Sequence, residues 1–219
     1  SNYEPDGLYP NGLQRARFLP AIEVIKRELD VVPLGGGMDH RRRILEGFRV
    51  WYSPPGEEAD QHLAQFFDAV TKAAFEREGS LVIGGRELPF RQRAKGVAWF
   101  DFDTLCVEPR SQNDYLEIAS GYHTVLVSGV PRLAAEQTDV IRRLTWMVDV
   151  FYDQRVRLAM SAEAPPEELV LPAAQATGPG RMVRNEFART ASRLLEMQSR
   201  DYFARKHASA ENPQVLRAR

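Results

Sequence analysis

The chain has 219 residues, 43% of them hydrophobic and 27% charged, with a formal net charge of −1 at pH 7. A soluble globular chain of one or two domains fits these values, and no global field draws it to nucleic acid or membrane. The lone cysteine, Cys106, excludes an intrachain disulfide and a cysteine-based metal cluster, and no apolar run approaches the roughly 18 residues of a membrane span.

The opening stretch, SNYEPDGLYPNG, is punctuated by Pro5, Gly7, Pro10 and Gly12 and reads as the exit from a strand into turns. Leu13, Phe18, Ile22 and Ile25 then recur at helical spacing and predict a helix over Gly12–Leu29, with Pro20 marking its first turn. Leu29–Leu34 reads as a short strand ended by the triple glycine Gly35–Gly37, and Arg49–Ser53 as another. A long helix is predicted over Glu57–Glu78, with Leu63, Phe66, Phe67, Val70 and Phe75 on its apolar side. In SLVIGGRELPF two apolar runs flank Gly84-Gly85, the pattern of a tight hairpin whose turn needs positive φ. Val97–Phe102 supplies a third strand, Asp103 a cap for a short helix through Cys106, and Asn113–Gly121 a further helix.

The next segment is the clearest. His123–Val127 is a buried strand, Ala134–Asp153 a helix with Val140, Ile141, Leu144, Val148 and Phe151 on one side, and Arg155–Met160 a second strand. Strand, full helix and strand of this length predict a βαβ crossover with parallel strands. After the loop Leu171–Gly180, a last helix is expected over Asn185–His207, with a frayed tail beyond. The fold class is α/β with a small β-hairpin insertion. A faint internal echo links Ser1-Asn2-Tyr3-Glu4-Pro5 to Ser161-Ala162-Glu163-Ala164-Pro165, each followed by an acidic, turn-rich segment.

Few residues announce chemistry. No GxxxxGK[ST] string occurs, so the triple glycine reads as a turn, and Arg41–Arg43 read as a solvated basic face. His40, His62, His123 and His207 have no ligand spacing, and no metal site is expected from them. There is no GxSxG elbow and no partner motif for Cys106. Arg142 and Arg143 stand beside the apolar stripe of the crossover helix, with Glu136 and Asp139 in pairing range; Arg189 and Arg193 are one turn apart. Arg15 and Arg17 fall at a helix N-terminus, where the macrodipole disfavours cations by about a few tenths of a kcal/mol. Propensity does not explain that pair. An anion held by something else would, as with an arginine finger, which accelerates phosphoryl transfer by about 10³–10⁵.

Several long strings carry a resemblance over nearly the whole chain: SNYEPDGLYPNGLQRARFLPAIEVIKREL, FDFDTLCVEPRSQNDYLEIA, YHTVLVSGVPRL, IRRLTWMVDVFYDQRVRLAMSAEAPPEEL and FARTASRLLEMQSRDY. The chain resembles the ZapE-type AAA+ ATPases, whose eukaryotic relatives are the mitochondrial Afg/lactation-elevated ATPases. The resemblance implies the C-terminal part of a P-loop AAA+ ATPase, beginning at sensor 1, with the P-loop and the acidic Walker B strand ahead of Ser1. It further implies that residues 1–36 end the ATPase core, that 37–110 hold the hairpin insertion, and that 111–219 form the βαβ region.

By the same resemblance Asn2 is the sensor-1 residue that orients the attacking water. One or both of Arg15 and Arg17 reach the nucleotide of a neighbouring subunit in a homo-oligomeric ring, and Arg143, with Arg142 beside it, is the candidate sensor-2 arginine. ATP and Mg²⁺ are the implied cofactors, bound through residues upstream, so this chain alone is expected to be inactive. A protein partner such as FtsZ, and a cytoplasmic location in a bacterium or a mitochondrial one in a eukaryote, follow from the same likeness. Two departures stand out: Gly129 occupies a strand end where relatives often carry Asp, and the loop Leu171–Arg184 replaces a shorter, aromatic-containing connection. The rival reading is a non-enzymatic α/β module that binds a protein partner.

Overall fold

The computed structural model describes residues 15–28, 49–71, 74–171, 179–205 and 207–208. The expected strand at 29–34, the triple glycine and Arg41–Arg43 lie outside the described residues. The chain divides into two compact units, 1–43 and 44–219.

In the first unit, helix α1 spans Arg15–Glu28 and has no acidic residue in its first turn. Pro20 lies inside this helix rather than at its start. Its missing N–H removes the bond that would run to the Ala16 carbonyl.

The second unit is built on one six-stranded sheet of order β1-β6-β5-β4-β3-β2. Strand β1 (Trp51–Tyr52) leads into helix α2 (Glu57–Val70), whose first turn carries Glu57, Glu58 and Asp60 and whose buried side is Ala59, Leu63, Phe66 and Phe67. The first-turn carboxylates complement the positive end of the helix dipole. The helix is shorter than the apolar spacing predicts. Thr71 ends it, its hydroxyl donating to the Phe67 carbonyl at 2.7 Å, and strand β2 (Glu76–Ile83) follows. Cross-strand pairing overrides the local periodicity here: β2 runs antiparallel to β3 (Arg86–Ala94) from Glu76↔Arg93 to Ile83↔Arg86. Phe75 meets Phe67 edge-on at 5.6 Å instead of continuing the helix.

The hairpin itself is as expected, with Gly84 and Gly85 at φ 57 and 74, the twist that a two-residue turn between right-twisted strands requires. Strand β4 (Val97–Asp101) pairs antiparallel with β3. It is also parallel to β5 (Thr124–Val130), which is parallel to β6 (Arg157–Ala162), which is parallel to β1. Helix α3 (Gln112–Gly121) joins β4 to β5, and helix α4 (Thr138–Asp153) joins β5 to β6, so the predicted βαβ unit is present. Strands β4 to β6 read as near-continuous apolar runs because both of their faces are covered. From β1 the chain crosses the sheet one way and from β4 it returns the other way. With crossovers of the usual right hand, α2 then lies on one face and α3 and α4 on the opposite face.

Two further predictions change. Asp103 does not cap a short helix; it is the first residue of a π-helical turn, Asp103–Val107, with Phe102 before it and no side-chain cap. Two arginines hold the carbonyls of that turn: Arg110 Nε donates to Thr104 O at 3.1 Å and Arg143 Nε to Cys106 O at 2.6 Å. The last helix is broken into α5 (Pro179–Met197) and α6 (Arg200–Ala204). Ser199 caps the second piece by accepting the Tyr202 N–H at 3.2 Å. The break lets the buried Tyr202 hydroxyl donate to the Phe151 carbonyl at 3.2 Å, which one straight helix on the Asn185 pattern would not allow.

Candidate functional site

Of the residues singled out in the sequence, Asn2 lies outside the described residues. Arg15 and Arg17 occupy the first turn of α1, in the first unit. Arg142 and Arg143 are neighbours on α4, in the second unit, and their environments differ. Arg142 is an exposed side chain, 59%, facing Asp139 at 3.6 Å, a surface i,i+3 pair. Arg143 donates from Nε to Cys106 O and from Nη2 to Val107 O, at 2.6 and 3.2 Å. Arg143 therefore terminates the π-helical turn, whose last carbonyls would otherwise lack partners. Arg143→Met is expected to lower stability by about 1–3 kcal/mol through the two lost bonds, and Arg142→Met by less than about 0.5 kcal/mol; urea unfolding of both variants checks the difference. Arg189 and Arg193 also look outward from their own helix: both reach Asp149 on α4, at 3.0 and 2.6 Å, and so fasten α5 to α4.

Because β1, β6, β5 and β4 are parallel, their carboxyl ends share one edge of the sheet, the edge at which doubly wound folds bind ligands. A closed polar network lies there. Arg91 on β3 donates to Asp101 Oδ1 at 2.7 Å and to Asp60 Oδ2 at 2.5 Å, and its guanidinium sits 5.6 Å from the Trp99 ring centre. Trp99 Nε1 donates to Ser128 Oγ at 2.9 Å, and Ser128 Oγ to Asp60 Oδ1 at 2.7 Å. Burial alone would weaken the hold of Arg91 on its proton; the Asp101 and Asp60 carboxylates outweigh it and raise its pKa above the ordinary arginine value.

Both oxygens of Asp60 are engaged, so this network positions elements and supplies no free base. Gly129, at φ 79, donates its N–H to Ser161 Oγ at 3.0 Å and ties β5 to β6. Sequence reasoning did not find this network, because its members come from α2, β3, β4 and β5 and share no local spacing.

Cys106 is fully buried, and burial pushes its thiol pKa far up, so it is no nucleophile. Among the described residues no group of three or more His, Cys, Asp or Glu converges to hold a metal ion. No step through Mg²⁺ is assigned to the described residues. Among them, no helix is long and apolar enough to cross a membrane.

The profile of the AFG1-like ATPase family matches residues 1–206. The chain is 38% identical over 207 residues to "Cell division protein ZapE" of Escherichia coli (strain K12), covering 94% of this chain and 53% of the relative. It is 35% identical over 231 residues to "Lactation elevated protein 1 homolog B" of Danio rerio, covering 93% and 46%. The chain thus spans about half the length of these curated relatives. No solved structure matches it. The α/β architecture and the match along almost its whole length agree, and the chain belongs to the AFG1-like ATPase family.

Proposed function

We propose that this chain is the portion, from sensor 1 onward, of a AAA+ ATPase that couples ATP hydrolysis to remodelling of a protein partner. One observation carries the reading beyond family membership: α1 opens on two arginines with no acidic residue in its first turn. Cations at that helix end are locally unfavourable, and a phosphoryl group held across a subunit boundary would compensate them. In this reading Asn2 orients the attacking water, and Arg15 or Arg17 neutralises charge on the transferring phosphoryl group of a neighbouring protomer in a ring. Mg²⁺ would accompany ATP, and both would be bound mainly by residues other than those described.

The sensor-2 role falls to Arg142 rather than Arg143, because Arg143 is already spent on two carbonyls and Arg142 is exposed. Residues 1–36 would complete the ATPase core, with 37–110 and 111–219 as the hairpin-bearing and βαβ regions. The E. coli relative's name points to cell division, so the partner would be a component of the division machinery such as FtsZ, in the bacterial cytoplasm; a eukaryotic member would act in mitochondria.

Apart from Arg142, a narrower version of the non-enzymatic reading would apply to the unit 44–219. Its closed network at the carboxyl edge of the sheet supports a role in positioning or partner contact rather than a second catalytic centre. The test is steady-state ATP turnover by the full-length gene product with Mg²⁺ and by the 219-residue chain alone. Turnover by the former and none by the latter is expected; a full-length protein that does not hydrolyse ATP overturns the reading.

A further inference from the structure

A cleft of about 560 Å³ opens beside β1 in the second unit, and its lining includes Arg49, Trp51, Tyr52, Glu57, Glu58 and His62. Pro165, just past β6, closes its other side. The cleft lies at the carboxyl ends of β1 and β6, on the edge of the sheet at which doubly wound folds bind ligands. The local order is strand, loop, helix, the same order that cradles a phosphate in a P-loop.

Here the loop chemistry is reversed. Ser53-Pro54-Pro55-Gly56 contains no GK[ST], and its two prolines have no N–H to offer an anion. Glu57 and Glu58 fill the first turn of α2 and already occupy the positive end of its dipole. A phosphate entering this cleft would meet carboxylates and missing donors.

What remains suits a flat cation. The Tyr52 and His62 rings stack with centres 5.2 Å apart and planes at 6°, and Trp51, half-buried, is fixed by donation from Nε1 to Ala164 O at 3.2 Å. Two carboxylates against the one guanidinium of Arg49 leave the lining net negative. An aromatic wall beside carboxylates is the setting that favours a guanidinium over an ammonium, through stacking plus paired hydrogen bonds. We propose that this cleft receives an arginine side chain presented by a segment of a protein partner. The proposal does not depend on the ATPase reading.

The test is titration of the ¹⁵N-labelled chain with the tripeptide Ac-Ala-Arg-Ala-NH₂, following the indole resonances of Trp51 and Trp99 by NMR. A saturable shift of Trp51 with Trp99 unmoved is expected. The citrulline analogue, equal in shape and uncharged, should bind at least ~10-fold more weakly, and Glu57→Gln/Glu58→Gln should weaken the arginine peptide by ~10-fold. Both carboxylates are exposed, and an unmoved Trp99 indole reports an intact fold in the variant. An unshifted Trp51, equal binding of the citrulline peptide, or a Trp51 shift produced by ATP in place of the peptide would each overturn the proposal.

Discussion

Asp114→Ala is expected to lower the stability of the chain by about 2–4 kcal/mol. The Asp114 side chain is 3% exposed, and it joins the hairpin to the start of α3. Its carboxylate accepts from Arg86 on the hairpin and, at 2.6 Å, from the Ser111 N–H at the start of α3. Arg86 in turn donates to the Pro109 carbonyl at 2.5 Å. The Gly84 N–H donates to Glu117 Oε2, one turn further along α3, at 3.1 Å, and a Cβ at Gly84 would collide with the Asp114 carboxylate. The hairpin tip is therefore seated on the N-terminus of α3.

A fully buried pair broken on one side can cost about 3–5 kcal/mol. Arg86 is 45% exposed and can rehydrate, which brings the estimate down. Urea unfolding should give a lower midpoint with an unchanged slope.

The same residue sets a pH dependence. Burial by itself would raise the Asp114 pKa; the Ser111 N–H, and then the Arg86 guanidinium, outweigh it and hold the carboxyl below its ordinary value. A carboxylate whose folded pKa is depressed contributes stability above its unfolded pKa, about 4, and loses that contribution as pH falls through the folded value. The stability gap between the native chain and Asp114→Asn should therefore be constant near neutrality and shrink on acidification below about pH 4.

How legible this molecule is in its sequence depends on the range of the interaction. The hairpin at Gly84-Gly85 and the β5-α4-β6 unit are both legible, because glycine pairs and apolar periods are local signals. Ser111-x-x-Asp114 is a readable helix-start pattern, and it places the start of α3 one residue before the predicted Asn113. The helix predicted through Glu78 fails because pairing with β3, an interaction between segments, decides residues 76–83.

The polar network of Asp60, Arg91, Asp101 and Ser128 has no local signature at all; Ser128 and Asp60 are 68 residues apart. The same holds for the cleft beside β1, which exists only because a two-residue strand pairs with β6 from the far end of the unit. The arginines of α1 are the opposite case. Elementary helix electrostatics marks them as anomalous, and no signal within the helix supplies their anion.

Arg15→Ala in the full-length protein is expected to reduce ATP turnover by about 10³-fold or more while leaving ATP affinity nearly unchanged. Helix geometry makes this sharper than a test of two equivalent arginines. Positions 15 and 17 both belong to α1, and two residues of a helix turn the chain by roughly 200°, so the two positions do not share a face. A single finger is therefore the sharper expectation, and Arg17→Ala should keep turnover within about a few-fold of the parent enzyme, the range of a surface change. Reversed outcomes move the finger to Arg17; full turnover in both variants removes the finger from α1.

Loss of fold cannot mimic the result. Alanine is the strongest helix former, and removing a cation from the positive end of the dipole adds a few tenths of a kcal/mol to helix stability, roughly. A variant that unfolds no more readily yet hydrolyses no ATP has lost a charge acting outside its own helix. Mixing Arg15→Ala protomers with protomers defective in nucleotide binding then tests whether that charge acts between subunits: an arginine serving its neighbour restores turnover at mixed interfaces, and one serving its own nucleotide does not.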